Sequence, residues 1–274
     1  QAYKGYRMSE RQRARKLRRF FTAQILRNVP HDLWLDPAET HHLRDSIRLK
    51  PGDACLVTDG HGGEAEALVG EFAPDGRVCL QIQRVLIKTG SFNDRITLRV
   101  FPVLLRKGKT DLLVEKAQEL GAHEFHPIVS EHCEVQIAKE KTEKIVDRWN
   151  RIAREASKQS GSLKILKIEE PRSFKEALES LSFDEPVVIF HPGSDAISFP
   201  EWLAEFRGLK DTIKALNVFI GPEGGFSEDE IRWAQWHRRE KNFRLVELGE
   251  VLFKADTAFV GIVASLRFSG ILSA

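Results

Sequence analysis

From Ile96 onward, apolar runs of strand length alternate with segments of helical character, and few architectures accommodate that alternation. Ile96–Leu105 precedes a helical pattern over Asp111–Leu120 closed by Gly121; Phe125–Val129, a charged helix near 140–160 and Ile165–Ile168 follow. A short helix near 173–181, Val187–Phe190, a helix near 200–206, Val218–Ile220, a helix near 228–240, Leu245–Leu248 and a last helix from about Thr257 complete the series. Strands separated by helices need crossovers, so this part is expected to be α/β with a mostly parallel sheet.

The segment before it has a different period. Ala54–Thr58 reads as a strand ending in the turn Asp59-Gly60-His61-Gly62-Gly63; Glu64–Phe72 follows, and Arg77–Val85 alternates apolar and polar residues. Short strands with glycine-rich turns suggest a small barrel. The polar break Lys88–Arg95 is the natural boundary between the two parts.

Charge is unevenly placed. Residues 1–27 hold nine Lys or Arg against the single acid Glu10, leaving 33 basic and 39 acidic residues in the remainder. A basic arm on a mildly acidic body suits a polyanionic partner, although a solvated tail or an organelle-targeting stretch has the same composition. The spacing of Cys55, Cys79 and Cys133 makes neither a disulfide framework nor a zinc site, which fits a reducing compartment. No apolar run reaches the length of a membrane span. The expected location is cytoplasmic, or organellar if the basic stretch is a transit remnant. His41 and His42 lack acidic or cysteine partners at ligand spacing, and no metal is expected.

Two segments carry the chemistry. In Asn217–Glu230 an apolar strand runs into Gly221-Pro222-Glu223-Gly224-Gly225, and a helix then opens with the capping box Ser227-x-x-Glu230. Glycines here let the main chain approach a ligand with no side chain between them, and ligands of open α/β sheets bind at such strand ends. The pattern is neither a P-loop nor a dinucleotide fingerprint; a tight turn without a ligand is its simplest alternative. In Leu245–Ala258 a strand ends at Leu248-Gly249, and a short loop carrying Lys254 and Asp256 leads into a helix of small and apolar residues. Two such strand ends would wall a flat, uncharged ligand such as an adenosine.

The run Gly221–Ser227, followed by Leu248-Gly249-x-x-Leu252-x-Lys254-x-Asp256-Thr257-Ala258, resembles the RsmE family of the SPOUT superfamily. The resemblance covers nearly the whole chain. Arg18-Arg19-Phe20-Phe21, His41-His42-Leu43 with Ile47-Arg48 and Gly52-Asp53, Lys107-Gly108-Lys109, Glu115–Gly121 and Glu155-Ala156 with Gln159-Ser160-Gly161 resemble its other blocks. It implies an arm and PUA-like β-barrel that binds RNA over residues 1–90. Over residues 91–274 it implies a SPOUT methyltransferase domain with a deep trefoil knot. The activity implied is methylation of N3 of a uridine in small-subunit ribosomal RNA by S-adenosylmethionine, in a homodimer formed through the C-terminal domain. The chain departs from the family pattern at Val251 and Lys254, which replace arginines, at Asp256 for glutamate, at Ser162 for arginine, and at His132-Cys133 for Arg-Ser.

By the same resemblance the donor lies against Pro192 and Gly193 (after His191), Ile220 to Gly225, and Leu248, Gly249, Leu252, Phe253, Lys254, Thr257 and Ala258. Lys254 is the candidate cation near the uracil oxygens or a phosphate, and Glu223 a candidate to orient the donor or accept a proton. Arg18, Arg19, Arg48, Lys107 and Lys109 are the candidate RNA contacts, with Phe20 and Phe21 as stacking or core residues. The missing arginines motivate a second reading, a catalytically silent RNA-binding or ribosome-assembly factor. A methyltransferase acting on another RNA differs only in substrate.

Overall fold

The computed structural model describes residues 17–26, 31–87, 95–106, 108–135, 137–209, 212–238 and 242–272. The chain divides into two units, Gln1–Phe92 with Ser157–Ile165, and Asn93–Ala156 with Leu166–Ala274.

The first unit is built on one sheet. β1 (Arg19–Phe21), β2 (Asp32–Trp34), β3 (Ala54–Thr58), β4 (Glu64–Phe72) and β5 (Val78–Ile87) lie in the order β1-β3-β4-β5-β2, with β1 parallel to β3 and the other pairs antiparallel. Register shifts between β4 and β5 mark bulges, which bend and twist a strand pair. The inward residues of the period-two pattern form the core: Val57, Ala65, Ala67, Val69, Val78 and Leu80 pack with Leu33, Leu43 and Phe20. Phe20 and Phe21 are both buried, so these rings are core rather than a stacking platform. Asp59 organises the turn after β3, its carboxylate accepting from His61 N, Gly63 N and Leu26 N at 2.8–2.9 Å.

Residues 157–165 join this unit through backbone pairing, Gly62 N to Leu163 O and Ile165 N to Gly60 O. They bring Lys158, whose ammonium donates to Glu39 Oε1 at 2.9 Å with both side chains about nine-tenths buried. The other Glu39 oxygen accepts Phe21 N at 3.0 Å, which completes a buried, satisfied charge pair.

The second unit is a parallel sheet with helices. Its strands are β6 (Thr97–Pro102), β7 (Glu124–Phe125), β9 (Lys167–Ile168), β11 (Val187–Phe190), β12 (Ile197–Ser198), β13 (Ala215–Ile220) and β14 (Phe243–Glu247), in the order β12-β14-β11-β13-β6-β7-β9. The sequence pattern predicts one strand over Phe125–Val129. The structure has two short ones, β7 and β8 (Ile128–Val129), with β8 pairing β10 (Arg172–Ser173) in a separate ribbon. Pro127 lies at the break, where it has no N–H to continue a ladder. Strand β12 is not visible in the pattern either.

The helices are α1 (Pro37–His41) in the first unit and α2 (Lys109–Glu119), α3 (Lys139–Ser160), α4 (Phe174–Glu179), α5 (Phe199–Leu209), α6 (Glu228–His237) and α7 (Ala255–Phe268). The second core centres on Phe101, stacked on Phe219 at 4.3 Å, with Phe174, Ile189, Phe226, Ile231 and Leu245 around them. Among the described residues no helix is long and apolar enough to cross a membrane.

Candidate active site

The strand order brings distant glycines together. β11 lies between β13 and β14, pairing Phe190 with Ile220 on one side and Val246 on the other. All three strands are parallel, so their carboxyl ends lie side by side at one edge of the sheet, the edge at which open α/β sheets bind ligands. The chain segments that emerge there are 191–193, 221–227 and 248–254.

The central loop is shaped by its glycines and its cap. Ser227 Oγ accepts Glu230 N at 3.1 Å and Glu230 Oε2 accepts Ser227 N at 2.9 Å, so the predicted capping box is present. The second oxygen of this buried carboxylate accepts Glu131 N at 3.0 Å, tying residues 131–133 to the start of α6. Gly225 sits at φ +70°, and a Cβ there would come within 3.4 Å of His191 Nδ1. At Gly221 a Cβ would meet the Phe226 ring at 3.2 Å and Gly225 Cα at 3.3 Å. Gly249, at φ +93°, instead faces open space, with nothing within 4 Å of a Cβ position.

Two histidines flank the glycine loop. His132 Nδ1 lies 3.2 Å from Gly225 O. The backbone N–H of His191 donates to Val246 O at 3.0 Å, while its Nδ1 is buried with no partner among the described residues. Burial lowers the His191 pKa, which favours a neutral ring. An unpaired buried ring nitrogen beside two strand-end loops is a polar group awaiting a partner.

The candidate donor residues divide by exposure. Ile220 is a buried strand end; Gly221, Pro222, Gly225, Leu248 and Ala258 are half-buried; Pro192, Gly193, Glu223, Gly224, Gly249, Lys254 and Thr257 are exposed. The loop after β14 presents Val251, Leu252 and Phe253 to solvent, Leu252 at 93 % exposure. Lys254 is the N-cap of α7, and its side chain makes no capping bond.

Lys109, a candidate RNA contact, is engaged within this unit: its Nζ lies 3.3 Å from Glu223 Oε1 and 3.6 Å from Asp256 Oδ2. In the first unit, Arg18 and Arg48 are exposed. Arg19 is half-buried and gives Nε and Nη2 to Glu64 Oε1 at 2.8 and 2.6 Å. Arg48 ends a π-helical turn, His42–Ile47, at φ +64°, a conformation that costs a non-glycine residue. Lys107 and residues 1–16 lie outside the described residues. No group of three His, Cys, Asp or Glu side chains among the described residues is placed to hold a metal ion. His132 and the second bond of Glu230 were not anticipated; the sole signal was the departure from the family block at 132–133.

Residues 93–267 match the RNA methyltransferase domain family, and residues 35–71 match the RNA methyltransferase PUA domain. Ribosomal RNA small subunit methyltransferase E of Bacillus subtilis is 30% identical over 84% of this chain and 87% of its own length. The chain belongs to this RNA methyltransferase family. Membership places all three strand-end loops inside the methyltransferase domain. A solved ribosomal RNA small subunit methyltransferase E from Neisseria gonorrhoeae, bound to S-adenosyl methionine, superposes with a TM-score of 0.76 at 21% identity, covering 92% of this chain and 98% of that one. A methyltransferase structure from Legionella pneumophila with bound SAM gives 0.77 at 22% identity over the same shares of the two chains. The fold is therefore that of a PUA domain joined to an α/β RNA methyltransferase domain.

Proposed function

We propose that this RNA methyltransferase transfers the methyl group of S-adenosylmethionine to N3 of a uridine in small-subunit ribosomal RNA. One observation carries the donor site. At these strand ends main chain is exposed at Gly193, Gly224 and Gly249, and the unpaired Nδ1 of His191 lies 3.4 Å from the Cβ position of Gly225 in the same glycine loop. The donor set suits an adenosyl ligand: backbone amides and carbonyls for a base and ribose, apolar surface at Leu248, Leu252 and Phe253 for the ring. The relatives named for the small ribosomal subunit and the SAM-bound neighbour support the same assignment.

The bound donor supplies an electrophilic methyl on a sulfonium. What remains for the protein is to hold the uracil nitrogen in line and to favour loss of its proton. Lys254, exposed at the rim where α7 begins, is our candidate for stabilising the negative charge that develops on the uracil oxygens. Glu223 is held by Lys109, which suits a carboxylate that orients the donor better than one that shuttles a proton. The target base would be unstacked to enter. Arg18 and Arg48 are the proposed RNA contacts of the first unit, and the second unit is proposed to pair with another copy through apolar surface that includes Phe268, 79 % exposed.

The test is methylation of purified small subunits lacking the modification, with the product nucleoside identified by mass spectrometry. 3-Methyluridine is the expected product. Donor binding with no methyl transfer would instead favour the catalytically silent RNA-binding factor, which the loss of arginine at Val251 and Ser162 motivates.

A further inference from the structure

We infer that Lys109 is a positioning residue of the donor site, its ammonium fixing the loop after β13 against the first turn of α7. The inference rests on the donor-site reading above.

Lys109 is the first residue of α2, where the partial positive charge of a helix terminus disfavours a cation. Gly108 before it is at φ +74° and caps nothing with a side chain. Compensation comes from elsewhere: Glu223 at 3.3 Å and Asp256 at 3.6 Å. The two acids belong to different strand-end segments, Glu223 to the glycine loop and Asp256 to the start of α7. Asp256 is further braced by Thr257 N, which donates to Oδ1 at 3.2 Å. The hydrogen bond to Glu223, then the field of Asp256, keep Lys109 more firmly protonated than an ordinary lysine.

A lysine with this much compensation has little charge left to offer a phosphate. The cluster of two carboxylates and one ammonium is net negative, and it borders a site whose proposed ligand carries a sulfonium cation. Its role is therefore mechanical and electrostatic toward the donor: without the ammonium, Glu223 and Asp256 repel, and the two loops lose their common anchor.

The experiment uses the whole 274-residue chain carrying Lys109→Met, Lys109→Arg, Asp256→Asn or the double change Lys109→Met/Asp256→Asn. S-adenosylmethionine affinity is read by calorimetry, affinity for a small-subunit ribosomal RNA fragment across a salt series, and KM for each substrate. Exposed ion pairs are individually weak, so Lys109→Met is expected to weaken donor binding about fivefold. Lys109→Arg should restore most of that loss, and the double variant should lose less than the two single losses multiplied. The KM for the donor rises while RNA affinity and its salt slope stay at wild-type values. A drop in RNA affinity with a shallower salt slope and unchanged donor affinity would show a phosphate contact and overturn the inference. So would unchanged donor affinity in both Lys109→Met and Asp256→Asn. Failure of the wild-type chain to bind the donor at all would sink the donor-site reading instead.

Discussion

Replacing Gly225 by valine puts a branched side chain where the backbone has φ +70° and where even a Cβ would lie 3.4 Å from His191 Nδ1 and 3.7 Å from Cε1. The left-handed conformation alone costs an L-residue about 1–2 kcal/mol, more for a β-branched one. The two γ-carbons extend beyond the Cβ position, so the His191 ring or the loop must move. A local cost of about 2 kcal/mol, met by loop displacement, corresponds to a loss of about thirtyfold in affinity for a ligand that needs the native loop. Calorimetric titration of S-adenosylmethionine into Gly225→Val is therefore expected to show at least that loss, with Gly225→Ala intermediate. Gly225 itself is half-buried beside Phe226, which stays in the core, so the melting transition should stay cooperative. Wild-type affinity in the valine variant would refute the reasoning, because it would mean the ligand does not use this loop.

Lys158→Met leaves the Glu39 carboxylate buried without its ammonium and should destabilise the first unit by about 3 kcal/mol, read by urea denaturation; adding Glu39→Gln should recover much of it. Glu124 is held down to about 2 by the hydrogen bond from His126, with Arg99 and Lys167 adding to it. Its folded pKa is below the unfolded one, so its contribution is complete above the ordinary carboxylate range and is lost as pH falls toward 2; Glu124→Gln should flatten stability against pH in that window. Arg48→Gly should raise the melting temperature, by relieving the φ +64° backbone at a cost-equivalent of about 1 kcal/mol. The same variant should weaken RNA binding and lower its salt slope by about one phosphate contact.

Residues close in sequence determined their own structure from the sequence alone. Strand β3 falls on Ala54–Thr58 and β4 on Glu64–Phe72, where side-chain period and turn glycines suffice. The capping box at Ser227 and Glu230 was legible because both partners sit in one turn. The glycine loop was legible as a loop at the end of a strand, and its residue pattern as that of a family. What the sequence left open depends on contacts between distant segments. Pro127 divides an apolar run whose composition alone reads as one strand. The last turn of α3 belongs with the first unit, where Lys158 finds Glu39, 119 residues away. Arg19 and Arg48 have equal charge in the sequence, yet Glu64 occupies one and solvent the other. Lys109 and Glu223 are 114 residues apart, and no local rule relates them. Hydrogen-bonding period and backbone preference act over a few residues and are written in order along the chain. The order of strands in a sheet is settled by burial of the whole, and that order alone set His191 beside Gly225.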